Sequence, residues 1–201
     1  RSLNLATHYP SFYKMKKLIK LPFFITLLLS ISVNLLYSEE SFIPKPPSLN
    51  ASNYILIDSI SGRILAENGA DERIEPASIT KIMTGYIAVD QIAKGFINLE
   101  DEVLISENCW RKGGSKMFIK EGTRVLLSDL IKGMVIQSGN DASCAIAEHV
   151  ALSEEGFVEL MQFYTKEMGM ENTQFKNVSG WPHPEHFSTA RDLANLTKIL
   201  I

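Results

Sequence analysis

The chain has 201 residues, of which 45% are hydrophobic and 21% are charged, an ordinary composition for a globular protein. Its formal net charge is −3, and residues 39–201 alone hold 15 basic and 23 acidic side chains, because all five charged residues of 1–38 are basic. An acidic chain without a basic stripe argues against nucleic acid as a partner.

Residues 15–38 have the pattern of an export signal: a basic start, a mostly apolar run, and an end before two glutamates. An uncleaved membrane anchor stays open as an alternative, since Leu36 stands where a small residue usually precedes the cleavage site. We expect residues 1–14 to be upstream sequence outside the natural protein, and residues 39–50 to be an extended, proline-rich lead-in. Either form of the signal predicts export.

Residues 51–201 form the predicted domain, a β-hairpin followed by a mainly helical block. Two apolar runs joined by Ser59-Ile60-Ser61-Gly62 predict the hairpin. Ser128 is the expected N-cap of the second helix, and Gly169 is expected to end the fourth. The patterns predict strands at 54–58, 63–67 and 101–105, and helices at 78–95, 128–134, 142–151, 155–168 and 189–201.

The two cysteines, Cys109 and Cys144, are too few for a disulfide framework. Cys144 falls on an apolar helical pattern, so we favour two free thiols over a bond between them. The proline inside His183-Pro184-Glu185-His186 prevents its two histidines from sharing a helix face, which predicts a loop there. The sequence therefore predicts no metal site and no cofactor.

Ser78-Ile79-Thr80-Lys81 stands at the start of an apolar-periodic run that predicts a helix. Residues i and i+3 share a helix face, so Lys81 can reach the Ser78 hydroxyl. A serine becomes a nucleophile when a neighbouring base takes its proton, and a lysine can be that base if burial lowers its pKa. Taken alone the pattern is weak, because serine is also an ordinary N-cap residue.

A second polar cluster, Ser138-Gly139-Asn140, lies in the loop expected between two helices. On its own it favours a simple capping turn. However, its position after a Ser-x-x-Lys segment, with a helix between them, matches the motif order of class A β-lactamases and penicillin-binding proteins. The two clusters together predict a catalytic site.

On these motifs the chain resembles the D-alanyl-D-alanine carboxypeptidases, the low-molecular-mass penicillin-binding proteins of serine peptidase family S11. The resemblance covers roughly residues 50–201 and implies an α+β fold of the β-lactamase/transpeptidase type, an antiparallel sheet with a helical subdomain. The segments that look like this family, in its order, are 54–58, 61–62, 76–84, 137–142 and 188–193.

The resemblance implies a role for each site residue. Ser78 would be the acyl-ester nucleophile, and its backbone N–H would be one donor of the oxyanion hole. Lys81 would be the general base, Ser138 a proton relay, and Asn140 would bind Lys81 or the substrate amide. The substrate would be the peptidoglycan pentapeptide, β-lactam antibiotics would acylate the same serine, and the location would be the periplasm or the outer face of the cytoplasmic membrane. Arg191 is expected to brace the fold through Asp192 or another nearby acid.

The family's third motif, Lys-Thr-Gly, does not occur in these 201 residues. The helical pattern shows no stop signal before Ile201, so we expect a C-terminally truncated domain with the motif downstream. Such a fragment would be catalytically poor by itself. A C-terminal segment associating with the inner membrane, present in many relatives, would also lie beyond Ile201.

Three other functions stay open at this point. A β-lactamase would need a second base for deacylation, and Glu148, Glu154 and Glu155 follow Ser138 without a recognisable motif. A D,D-endopeptidase would use the same nucleophile. A non-catalytic peptidoglycan-binding protein would be favoured if Lys-Thr-Gly were absent from the complete protein.

Overall fold

The computed structural model describes residues 48–201. The predicted signal peptide, the segment before it and most of the lead-in lie outside the described residues. Within 48–201 the chain combines two small antiparallel sheets with six α-helices, which agrees with the predicted α+β class. In this part of the chain no helix has both the length and the apolar character needed to cross a membrane.

The first sheet is the predicted hairpin, formed by β1 (Tyr54–Ile57) and β2 (Ile64–Asn68). Its turn is held by the Asp58 carboxylate, which accepts hydrogen bonds from the backbone N–H and the hydroxyl of Ser61. The second sheet pairs β3 (Glu102–Leu104) with β4 (Arg124–Leu126). The sequence predicted β3 and missed β4, because three residues are too few to show the alternation of a strand.

The five longer helices follow the predicted order and differ from prediction mainly at their ends, whereas the short helix Glu107–Trp110 was not predicted. The helix bounds are α1 Lys81–Ala93, α2 Glu107–Trp110, α3 Leu127–Gln137, α4 Asn140–Ala151, α5 Glu154–Glu167 and α6 Ala190–Ile199. Ser128 is not the N-cap of α3, which was the expectation. Strand β4 runs directly into this helix, Leu126 occupies the cap position, and the Ser128 N–H bonds to the Leu99 carbonyl.

Helices α1 and α4 lie between two clusters of buried apolar side chains. The first cluster packs α3 and α4 against β3 and includes Leu130 and Ile146. The second packs α5 and α6 against α1 and includes Phe157 and Leu196. Since α1 contributes to both clusters, the helix that begins at Lys81 is packed on two sides.

Cys109 and Cys144 form a disulfide bond, so the prediction of two free thiols is wrong. The burial predicted for Cys144 is confirmed, and Cys109 is equally buried. The short helix α2, capped by the Ser106 hydroxyl, places Cys109 against α4. Four helical residues give no readable period, so the sequence could not show that the two sulfur atoms face each other.

Arg191 does brace the fold, but Asp192 is not its partner. Its guanidinium binds both carboxylate oxygens of Asp71, at 2.7 and 3.0 Å, and one oxygen of Glu67 at 2.7 Å. These contacts join the start of α6 to β2 and to the segment that follows it. Asp192 instead accepts hydrogen bonds from the Asn172 N–H and the Thr173 hydroxyl.

Candidate active site

Ser78 lies in the 3₁₀ turn Ala77–Thr80, directly before α1, and its side chain is exposed. Ala77, the preceding residue, has φ +45°, a value uncommon for a residue with a Cβ. The amine of Lys81 lies 3.2 Å from the Ser78 hydroxyl oxygen. The structure thus brings together the two side chains that the i, i+3 spacing predicts to meet.

The Lys81 side chain runs into the protein and is 7% exposed. Its Nζ donates a hydrogen bond to the Ser179 carbonyl oxygen at 2.8 Å. Burial lowers the pKa of Lys81 from 10.5 to about 8, because the charged form loses its hydration. A substantial fraction of this amine is therefore neutral near physiological pH, as a general base requires.

Ser138 ends α3 in the left-handed conformation, with φ +54°. It lines a cavity of about 360 Å³ together with Ser78 and Lys81. Among the described residues, no hydrogen bond joins Ser138 to either of them. The structure therefore places the proposed relay at the same cavity as the proposed nucleophile without direct contact.

Asn140 begins α4 and faces the loop Gly113-Gly114-Ser115. Its side-chain amide donates to the Gly113 carbonyl at 2.8 Å, and its backbone N–H donates to the Ser115 carbonyl at 2.8 Å. The expected contact with Lys81 is not formed. A contact of Asn140 with the substrate amide stays a prediction, and the neighbouring cavity of about 590 Å³ leaves room for it.

The sequence did not predict that the backbone after Val178 contacts Lys81. Ser179 supplies the carbonyl that holds the Lys81 amine, and its residue type gives no hint of this role. The only available signal was the turn-forming composition of Ser179-Gly180-Trp181-Pro182.

His186 was predicted to lie in a loop and does, yet it is buried. Its Nε2 lies 2.9 Å from the Thr80 hydroxyl, inside the turn that carries Ser78, and its Nδ1 accepts the Lys176 N–H. Burial first, and the nearby His183 second, lower the pKa of His186 to about 4. His186 is therefore neutral at physiological pH and contacts the turn that carries Ser78.

Asp141 holds residues 117–119 next to the Ser138-Gly139-Asn140 turn. Its carboxylate, fully buried, accepts hydrogen bonds from the backbone N–H groups of Met117, Phe118 and Ile119 at 3.0, 2.9 and 3.3 Å. These bonds hold Phe118 at φ +63° with an 81% exposed side chain. These hydrogen bonds thus connect residues 117–119 to Asp141, directly after the Ser138-Gly139-Asn140 turn.

A serine hydroxyl beside a buried, partly neutral lysine at the start of a helix defines a candidate serine acyl-transfer site. The family model for D-alanyl-D-alanine carboxypeptidases, peptidase family S11, matches residues 40–201. The chain belongs to this family.

Similar proteins agree with that assignment. The D-alanyl-D-alanine carboxypeptidase DacC of Escherichia coli (strain K12) is 47% identical over 161 residues, 77% of this chain and 40% of the relative. The structure of the D-alanyl-D-alanine carboxypeptidase DacD from Francisella tularensis matches with a TM-score of 0.76 at 38% identity, covering 82% of this chain and 40% of that one. Penicillin binding protein 5 from Haemophilus influenzae also gives 0.76 at 38% identity, covering 78% and 46%.

These neighbours confirm the predicted fold, that of the penicillin-binding proteins. The chain spans about 40% of the length of the curated relatives it matches.

Proposed function

We propose that this chain carries the acyl-enzyme machinery of a serine-type D-Ala-D-Ala carboxypeptidase. The observation that carries the proposal is the 3.2 Å approach of the Lys81 amine, with its pKa lowered to about 8, to the exposed Ser78 hydroxyl. The proposed substrate is the peptidoglycan pentapeptide, and β-lactams are the proposed inhibitors of the same serine.

The proposed reaction begins when Lys81 takes the Ser78 proton. The hydroxyl oxygen attacks the carbonyl carbon between the two terminal D-alanines, and the Ser78 N–H stabilises the resulting oxyanion. The C–N bond then breaks, and Ser138 helps pass a proton to the leaving amine of D-alanine. Water hydrolyses the ester on Ser78 and restores the enzyme, so no cofactor is needed.

The surroundings of the glutamates favour this reading over a β-lactamase. A β-lactamase needs a base that activates water for rapid deacylation. Glu148 accepts a hydrogen bond from the Asn108 side chain at 2.8 Å, and Glu154 is paired with Lys112. Both carboxylates are engaged on α2 and the segment after it. The cavity that contains Ser78 is lined by neither of them, nor by Glu155.

The disulfide supports export. Disulfide bonds persist in oxidising compartments such as the periplasm and are rare in the cytosol. Cys109–Cys144 therefore agrees with the export signal predicted for residues 15–38. We propose a periplasmic protein, or one on the outer face of the cytoplasmic membrane.

The test is covalent labelling of the full-length protein with fluorescent penicillin, together with D-alanine release from a pentapeptide. Wild type should be labelled, Ser78→Ala should not, and Ser59→Ala, an exposed serine of the hairpin turn, should behave as wild type. Slow loss of the label indicates a penicillin-binding protein, whereas fast turnover indicates a β-lactamase. Unchanged labelling of Ser78→Ala would overturn the proposal.

A further inference from the structure

The Asn177 side chain forms hydrogen bonds with the backbone of three residues, Ser179, Gly180 and Trp181, and so stabilises a turn. Its Oδ1 accepts their N–H groups at 3.2, 2.8 and 2.9 Å. Its Nδ2 donates to the Trp181 carbonyl at 2.8 Å. One side chain therefore fixes the path of this whole segment, which we call the Asn177 turn (residues 177–181).

The Asn177 turn is fastened to the face of α1 that carries the candidate base. The Lys81 amine donates to the Ser179 carbonyl at 2.8 Å, and the Thr84 hydroxyl donates to the Val178 carbonyl at 2.7 Å. Lys81 and Thr84 are three residues apart and share one side of the helix. The turn is thus aligned with the helix by two contacts, one of which is made by the amine itself.

The Asn177 turn also packs closely against Ala77, the residue before Ser78. Gly180 has φ +82°, and a Cβ built at this position would lie 1.7 Å from the Ala77 carbonyl oxygen. Only glycine fits so close to another backbone. The contact limits where Ala77, itself at φ +45°, can place Ser78. The Asn177 turn therefore contacts Lys81 and the residue that precedes Ser78.

We propose that Asn177 is a positioning residue for the acyl transfer, acting through the Ser179 carbonyl and Gly180. This inference rests on the proposed function. A neutral lysine amine has two N–H donors and one lone pair. With one N–H fixed on Ser179, the lone pair is restricted to directions that include the Ser78 hydroxyl. After Lys81 takes the proton, the same carbonyl still accepts an N–H from the ammonium.

A purely structural role for Asn177 makes a different prediction. An Asx turn that only stabilises the loop would, on mutation, lower the melting temperature without changing the chemical step in the folded protein. A positioning role lowers the rate of that step, because displacement of a reacting group by about 1 Å can cost on the order of 100-fold in rate. The two roles are therefore separable by kinetics.

The experiment compares Asn177→Ala, Asn177→Asp and Asn177→Ser in the full-length protein. Stopped-flow acylation by penicillin separates the binding constant from the first-order acylation rate. For Asn177→Ala we expect the acylation rate to fall by roughly 10- to 100-fold with little change in the binding constant. Asn177→Asp keeps an acceptor for the three N–H groups but loses the N–H that donates to the Trp181 carbonyl, so its acylation rate should lie between those of wild type and Asn177→Ala.

Asn172→Ala is the matched control, an exposed asparagine whose side chain lies outside the turn. It should acylate as wild type does. If Asn177→Ala does not fold, Asn177→Ser, which retains one acceptor oxygen, takes its place and should show an intermediate loss. A wild-type acylation rate in Asn177→Ala or in Asn177→Ser, or an Asp variant as slow as Ala, would overturn the inference. Failure of wild type to be labelled would instead overturn the proposed function.

Discussion

Lys81 combines two properties that a surface lysine lacks: it is almost fully buried, and its amine has two fixed neighbours. The hydrogen bonds orient the amine, and the loss of hydration lowers its pKa to about 8. Ordinary lysine, with a pKa of 10.5, would be almost entirely protonated at neutral pH. The position of Lys81 in the fold therefore sets both its pKa and the orientation of its amine.

The proposed role of Lys81 predicts how acylation depends on pH. The rate constant for penicillin acylation should rise between about pH 6 and pH 9, with its midpoint near 8, because only the neutral amine accepts the Ser78 proton. At pH 7 it should be about tenfold below the plateau. Lys81→Arg, which stays charged, should lose at least roughly 100-fold at every pH. A flat profile for wild type would contradict the assignment.

His186 predicts a pH dependence of stability. Burial lowers its pKa from 6.5 to about 4, so between these values the unfolded chain binds a proton that the folded chain does not. The contribution of His186 to stability is complete above pH 6.5 and is lost progressively as the pH falls toward 4. The loss should reach on the order of 3 kcal/mol, the equivalent of the pKa difference.

Urea unfolding at several pH values measures this effect. His186→Gln cannot take up a proton, so its free energy of unfolding should fall less steeply with acid than that of wild type. Equal slopes for wild type and His186→Gln would show that His186 is not the group responsible.

Among the elements, α4 does most to shape the site. Its first two residues are Asn140, which faces Gly113, and Asp141, which holds residues 117–119. One turn later, Cys144 is bonded to Cys109 of α2. The stretch from α2 to β4, which contains the loop beside Asn140, is thus anchored to one helix at three places.

The disulfide should contribute measurably to stability. It closes a loop with a sequence separation of 35 residues, for which the chain-entropy relation gives about 3–4 kcal/mol. Cys109→Ala/Cys144→Ala should therefore lower the free energy of unfolding by about 3 kcal/mol in chemical denaturation. Dithiothreitol should lower the midpoint of wild type and leave that of the double variant unchanged. A wild-type midpoint insensitive to reductant would contradict this.

At the scale of the described molecule, apolar side chains remain exposed around the cavity that contains Ser78. Val89 on α1 and Val135 on α3 line this cavity and are 54% and 72% exposed. Exposed apolar surface of this kind usually marks a contact surface.

We predict that a polypeptide of residues 48–201 binds a hydrophobic dye such as ANS and tends to associate. Val89→Ser/Val135→Ser should reduce dye fluorescence with little change in its free energy of unfolding, because both side chains are already exposed. In the full-length protein, a clear loss of stability from the same change would show that the surface is covered there. Absence of dye binding by the unmodified 48–201 polypeptide would contradict the prediction.

Helical periodicity predicted the five longer helices, and the apolar runs around a turn predicted the hairpin. Errors occurred where an element was too short to show a period, as for α2 and β4. At Ser128 the predicted N-cap was wrong because strand β4 leads directly into the helix and Leu126 takes the cap position. The Ser78–Lys81 contact was predictable because both residues belong to one helix start. The contacts of Ser179 and His186 were not, since they join segments about 100 residues apart in the chain.

The sequence by itself determined which residues stand at the candidate site and the family to which the chain belongs. It did so because the motifs are local and their order along the chain is diagnostic. Only the tertiary structure decided how the site is held. The contacts that hold it are those of Ser179 with Lys81 and of His186 with Thr80, and the disulfide at Cys144 on the helix that Asn140 begins. Such contacts depend on packing between distant segments, and no local pattern records them.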